Sequence, residues 1–150
     1  MTANDEPQHT FRAAENPEPE PLPLAGATIK AGFASPADDF EETPLDLNRA
    51  LVRNPAATFF VRVEGDSMTG AGIDDGDLLV VDRSIEPHDG AVAICHVDGE
   101  FTVKRIRFEQ EGLVLLPANP KYRPVRVDTA AGPVVWGVVR YVIKELKEHR

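Results

Sequence analysis

The sequence predicts a mainly β protein: a compact domain of twisted antiparallel strands with one short helix, behind a flexible N-terminal arm. Three observations carry this reading. From Thr58 onward, short runs rich in β-branched and aromatic residues recur between turn signals. Asp98-Gly99 separates two of those runs by the two residues that a tight hairpin prefers. Proline gathers before residue 25, where large apolar residues are almost absent. A chain of 150 residues with 42% hydrophobic content can bury one core of ordinary size and has little room for a second.

In chain order, Met1 to Leu24 holds Pro7, Pro17, Pro19, Pro21 and Pro23, the later ones alternating with Glu18 and Glu20. Such a segment buries too little surface to offset its chain entropy, so residues 1–31 are expected to be a disordered arm. One helix is expected next. Thr43 can cap it, Pro44 suits its first position, Asp46 favours its N-terminal end, and Leu47, Ala50 and Leu51 share a face before Asn54-Pro55 stops it. The expected strands are Thr58–Val63, Asp77–Val81, Ala91–Val97, Glu100–Phe108, Leu113–Leu116, Pro124–Val127 and Val134–Ile143. The Asp98-Gly99 turn pairs the strand of Cys95 with the strand that carries Lys104.

Composition removes several classes of function. Cys95 is the only cysteine, so no internal disulfide can form, and its apolar strand makes it a buried thiol. No apolar run reaches membrane-spanning length and no signal segment opens the chain, so a cytoplasmic protein is expected. The net charge of −9 argues against direct binding to a phosphate backbone, which depends on clustered Lys and Arg. His9, His88, His96 and His149 are scattered without ligand spacing, so neither a metal nor another cofactor is expected. Gly70 and Gly72 read as turn residues, with no Lys and Ser or Thr following to form a phosphate loop.

The pair with chemical meaning is Ser67, in Gly65-Asp66-Ser67-Met68, and Lys104, in Phe101-Thr102-Val103-Lys104-Arg105. A serine hydroxyl is a poor nucleophile near pH 7 unless a neighbour takes its proton, and lysine can do so only when neutral. Ser67 follows a strand in a glycine-containing turn that can expose its side chain. Alternation places Thr102, Lys104, Ile106 and Phe108 on one face, where Lys104 can be partly desolvated. Alone, each has a bland reading: serines are common in turns, and strand lysines usually extend their heads to water.

The surrounding pattern decides between the two readings. The run from Gly65 to Asp82 resembles the nucleophile segment of the LexA-type self-cleaving serine peptidases, the S24 family, and Asp98 to Arg105 resembles their lysine segment. Ala31-Gly32-Phe33-Ala34-Ser35-Pro36-Ala37-Asp38-Asp39-Phe40 is similar to the self-cleavage site of the UmuD branch, which functions in SOS mutagenesis. Three motifs in the right order cover the chain from about Lys30 to its end. The resemblance implies a peptidase and dimerisation domain over residues 32–150 with the fold of the LexA C-terminal domain. It implies catalysis by Ser67 and Lys104, an oxyanion held by the backbone N–H groups of Asp66 and Ser67, and a scissile Ala31-Gly32 bond. A second pair, Ala25-Gly26, lacks the residues that come after the first and is the lesser candidate.

The resemblance also implies partners: a second copy in a homodimer, a recombinase filament on single-stranded DNA that stimulates the cut, and the catalytic subunit of an error-prone translesion polymerase. Removal of 1–31 takes away Asp5, Glu6, Glu15, Glu18 and Glu20 against Arg12 and Lys30, so the remainder is still acidic and no direct nucleic-acid binding is expected. Three other functions compete with this one. A signal-peptidase-like enzyme needs a membrane anchor. An inactive dimerisation module would not need Ser67, Lys104 and an Ala-Gly bond together. A LexA-like repressor needs a helix-turn-helix domain, which the short, proline-rich arm does not provide. The residues leave open whether one subunit cuts itself or its partner.

Overall fold

A computed structural model describes residues 6–7, 10–15, 17–19, 21–25, 31–32 and 42–147 of the chain. Seven strands match the expected runs within a residue or so: β4 (Thr58–Arg62), β5 (Leu78–Asp82), β6 (Val92–Val97), β7 (Glu100–Glu109), β8 (Gly112–Leu116), β9 (Val125–Val127) and β10 (Val135–Ile143). Three more precede them, β1 (Thr10–Arg12), β2 (Pro21–Ala25) and β3 (Glu42–Asp46), and one short helix, α1 (Leu47–Leu51), lies between β3 and β4. The expected class, mainly antiparallel β with one short helix, is the class observed.

β1, β4, β5, β10, β6, β7, β8 and β9 form one sheet in that order, every neighbouring pair antiparallel. The β6–β7 turn is the expected hairpin. Asp98 and Gly99 both have positive φ, 51° and 80°, as a two-residue type I′ turn requires, and Val97 pairs with Glu100. β10 lies between β5 and β6 and shifts register against each of them, between Val139 and Tyr141 and between Val135 and Gly137. Such irregularities bend and twist a strand, and two apolar clusters form. One joins Phe59, Val61, Met68, Leu79, Ile94 and Trp136, the other Ala93, Cys95, Ile106, Leu113, Leu115 and Val138. Cys95 is buried, as its strand predicts.

The expected helix differs locally. The helix does not begin at Thr43, because residues 42–46 pair with β2 as a separate two-stranded ribbon. Pro23 stands opposite Pro44, and Pro21 opposite Asp46. Proline has no N–H to donate, so these are the pairs without ladder bonds, and Leu22–Leu45 and Leu24–Thr43 carry the bonding. Capping therefore passes to Asp46, whose carboxylate accepts from the Asn48 N–H at 3.1 Å. No residue of α1 is buried and Leu47 is 50% exposed, so the expected apolar face does not meet the core. Among the described residues of 1–31, β1 pairs with β4, and β2 with β3. Both pairings join residues far apart in sequence, which a local reading of proline content does not register.

Candidate active site

The turn after β4 is built from both sides. Val63 donates to the Asp77 carbonyl and accepts from the Gly76 N–H, each at 2.8 Å, which ties the strand end to the loop leading into β5. Gly65, at φ 98°, turns the chain, and its N–H donates to the Asp75 carboxylate at 2.8 Å. Met68 is 1% exposed and sits in the first apolar cluster, so it anchors the turn while Ser67 beside it stays only half-buried. The loop after β8 grips the same turn. The Ala118 N–H donates to the Ser67 carbonyl at 2.8 Å, the Asn119 side-chain amide to the Asp66 carbonyl at 2.8 Å, and the Gly70 N–H to the Ala118 carbonyl at 2.6 Å. Tyr122 donates its hydroxyl to the Asp66 carboxylate. None of the hydrogen bonds among the described residues uses the backbone N–H of Asp66 or Ser67.

β7 brings Lys104 to this turn. Lys104 Nζ lies 2.9 Å from Ser67 Oγ, 2.7 Å from Thr102 Oγ1 and 3.1 Å from the Val103 carbonyl oxygen. Its cross-strand neighbour is the buried Ala93, and Cys95 stands opposite Thr102. Burial lowers the Lys104 pKa below the usual lysine value, and its hydrogen-bond partners are two hydroxyls and a carbonyl, none of them a carboxylate. Burial also pushes the Cys95 thiol up to about 12, so the neighbouring sulfur is neutral near pH 7 and supplies no counter-charge. The face expected to desolvate Lys104 is realised by Ile106, which is fully buried, and not by Phe108, which is 48% exposed where β7 runs past the core.

A cleft of about 1050 Å³ opens at Ser67 between the end of β4, from Val61 to Glu64, and the β6–β7 hairpin, from which Ile94, His96 and Phe101 to Val103 face it. Glu6 and Pro7 of the arm line it as well. Ala31 and Gly32 lie exposed in a bend, in the connection between β2 and β3, and are not among the residues lining the cleft. Thus Ser67 and Lys104 are together, while the Ala-Gly pair is not seated against them. Ala25 is paired with Glu42 within the ribbon, and Gly26 lies outside the described residues, as do Phe33 to Phe40.

Residues 23–140 match the family described as Peptidase S24-like. The chain belongs to this family. Among curated relatives it is 50% identical to Protein SamA of Salmonella typhimurium over 110 residues, 71% of this chain and 78% of that protein. It is 43% identical to Protein ImpA of Escherichia coli over 129 residues, 85% of this chain and 87% of that one. Protein MucA of Escherichia coli is 39% identical over 125 residues, 83% and 85% of the two chains.

Within this S24-like site, sequence reasoning missed Thr102 as a partner of the lysine and missed the whole grip from Ala118, Asn119 and Tyr122. Thr102 was legible as a residue of the same strand face, two positions from Lys104. Asn119 is far from Ser67 in the chain and acts through a backbone carbonyl, so no spacing points to it. Among the described residues no group of His, Cys, Asp and Glu could hold a metal ion, and no helix is long and apolar enough to cross a membrane.

Proposed function

We propose that this chain is a self-cleaving serine peptidase that cuts its own Ala31-Gly32 bond with Ser67 as nucleophile and Lys104 as general base. The observation that carries the reading is the 2.9 Å approach of Lys104 Nζ to Ser67 Oγ in a setting that disfavours the ammonium. An ammonium has three N–H donors and no acceptor, whereas a neutral amine has two donors and one lone pair. The three partners satisfy an ammonium as donor to all of them, and they also admit the neutral amine, with Val103 and Thr102 accepting and the Ser67 hydroxyl turned to donate to the lone pair.

In the reaction, Ser67 Oγ attacks the Ala31 carbonyl carbon as its proton passes to Lys104. The tetrahedral oxyanion is held by the N–H groups of Asp66 and Ser67, which are unused among the described residues. Collapse breaks the C–N bond, and Lys104 gives its proton to the Gly32 nitrogen. Water then attacks the acyl-serine ester, with Lys104 taking its proton and returning one to Ser67, so that residues 1–31 leave with a free carboxylate. The small side chains at 31 and 32 let an extended backbone lie close to Ser67. Because Ala31 and Gly32 stand outside the cleft, the β2–β3 connection must first enter it, and a partner that stabilises that arrangement accelerates the cut.

The kinship with SamA, ImpA and MucA supports a role in SOS mutagenesis. In that reading the stimulus is a recombinase filament on single-stranded DNA, and the trimmed homodimer is the accessory subunit of an error-prone translesion polymerase. Incubation of the pure protein at alkaline pH tests the chemistry, since a larger neutral fraction of Lys104 permits cleavage without a partner. A fragment beginning at Gly32 supports the reading. Its absence at every pH, or a cut at Ala25-Gly26, overturns the assignment.

A further inference from the structure

We propose that the outer edge of β4 is a strand-accepting surface whose resident occupant is the chain's own β1, which seats Glu6 and Pro7 in the mouth of the Ser67 cleft and excludes the scissile loop until it is displaced. The inference rests on the self-cleavage reading for its consequence, but not for its geometry. β1 lies outside the segment that matches the family, which begins at residue 23. It pairs antiparallel with β4, Thr10 opposite Val61, Phe11 opposite Phe60 and Arg12 opposite Phe59. The Ala13 N–H continues the ladder to the Thr58 carbonyl at 3.0 Å. Hydrogen-bonded pairs alternate along an antiparallel ladder, so Phe11 and Phe60 form the next such pair.

Upstream of β1, residues 6 and 7 lie at the cleft. Thr10 donates its hydroxyl to the Pro7 carbonyl, Pro7 is buried, and Glu6 and Pro7 line the cleft with Ser67. Arg12 ties the two ends, reaching the Glu6 carboxylate at 3.3 Å while its guanidinium lies 5.2 Å from the centre of the Phe59 ring. Glu6 and Pro7 share the cleft with Val61 to Glu64 and Ser67, and a scissile segment must enter that same space to reach Ser67. Both segments cannot use it at once.

The device is weak by construction, as a brake must be. A three-residue strand is short for stable pairing, and the Arg12–Glu6 pair is exposed, where an ion pair adds little. Its strength comes from being tethered, which keeps its local concentration high. Cutting at Ala31-Gly32 removes that tether, so the same event that trims the chain bares the β4 edge, a row of unpaired backbone groups able to take a strand from another chain.

The test uses the full chain with Phe11→Pro and Ala13→Pro, which delete two ladder N–H groups; Phe11 is 57% exposed, so little packing is lost. In a Ser67→Ala background, amide hydrogen exchange at Phe60 is expected to quicken about threefold while β5 amides keep their protection. With Ser67 intact, alkaline self-cleavage is expected to speed up about threefold, the factor for an occupant present two thirds of the time. A Phe60 exchange rate equal in both chains overturns the strap, and a faster exchange without faster cleavage overturns its braking role. If neither chain cleaves at any pH, the self-cleavage reading and the braking role built on it fail, while the exchange result still decides whether β1 covers β4.

Discussion

Asn119 gives the sharpest view of how the fold holds the turn of Ser67. Its side-chain amide donates to the Asp66 carbonyl at 2.8 Å, and its carbonyl oxygen accepts from the Lys121 N–H at 3.0 Å. Asn119→Ala removes both bonds. At about 1 kcal/mol net for each, the loss of stability should be about 1–2 kcal/mol, measured by urea unfolding in a Ser67→Ala background that cannot cleave. The effect on rate is separable. With the Asp66 carbonyl freed, the 66–67 peptide can rotate, and a misplacement of about 1 Å at reacting groups can cost about a hundredfold. The Ala118 N–H still holds the Ser67 carbonyl, so about a tenfold slower self-cleavage is expected, monitored by intact mass at alkaline pH. Asn119→Asp sharpens the test: it keeps the contact to Lys121 but turns a carboxylate oxygen toward the Asp66 carbonyl, and it should cleave more slowly than the alanine variant. If both variants cleave at the wild-type rate, the grip on the turn is a structural detail and the reasoning fails.

Lys104→Met should abolish cleavage yet leave stability near pH 7 equal to or above that of the wild type. The Lys104 pKa is lowered in the folded state by burial, so between that value and about 10.4 the unfolded chain binds more protons, and this residue makes stability rise with pH across the window. Below the window both states are protonated and the native state carries the full penalty, so the variant's profile should be flatter on the alkaline side of a denaturation series. Thr102→Val removes one acceptor from Lys104; it should slow cleavage about tenfold and shift the midpoint of the pH–rate profile downward, because the ammonium loses more than the amine does. Gly70→Ala would place a Cβ 2.5 Å from the Ala118 carbonyl oxygen. That neighbour is backbone, so a loss of about 1–3 kcal/mol and slower cleavage are expected, and an unfolding midpoint equal to wild type would show that the loop gives way freely.

The strands from β4 onward were legible because each carries its own punctuation: β-branched residues in short runs, Gly or Pro between them, and Asp98-Gly99 to set one register. What was not legible depends on partners distant in the chain. Thr43 and Pro44 have the local chemistry of a helix start, but β2 lies beside them and keeps them extended. β1 is three residues among prolines, and its order comes from the edge of β4. Ser67 and Lys104 were legible through their motifs and stand in contact. The residues that hold them were not, because Asn119 and Ala118 act on main-chain carbonyls and carry no spacing signal. Phe108 illustrates the reverse error: alternation puts it on the face of Ile106, yet β7 extends beyond the core at that end.

The central claim is that Ser67 and Lys104 cut the Ala31-Gly32 bond of their own chain. The most direct test is to incubate purified wild type and Ser67→Ala side by side at mildly alkaline pH and record intact mass and the N-terminal residue of each product over time. The account predicts one new core fragment beginning at Gly32 in the wild type, forming faster as pH rises toward the lysine range, and none from Ser67→Ala, whose unfolding profile stays that of the parent. A Gly32 fragment that forms equally from both chains, or a wild type that stays whole at every pH, would contradict it.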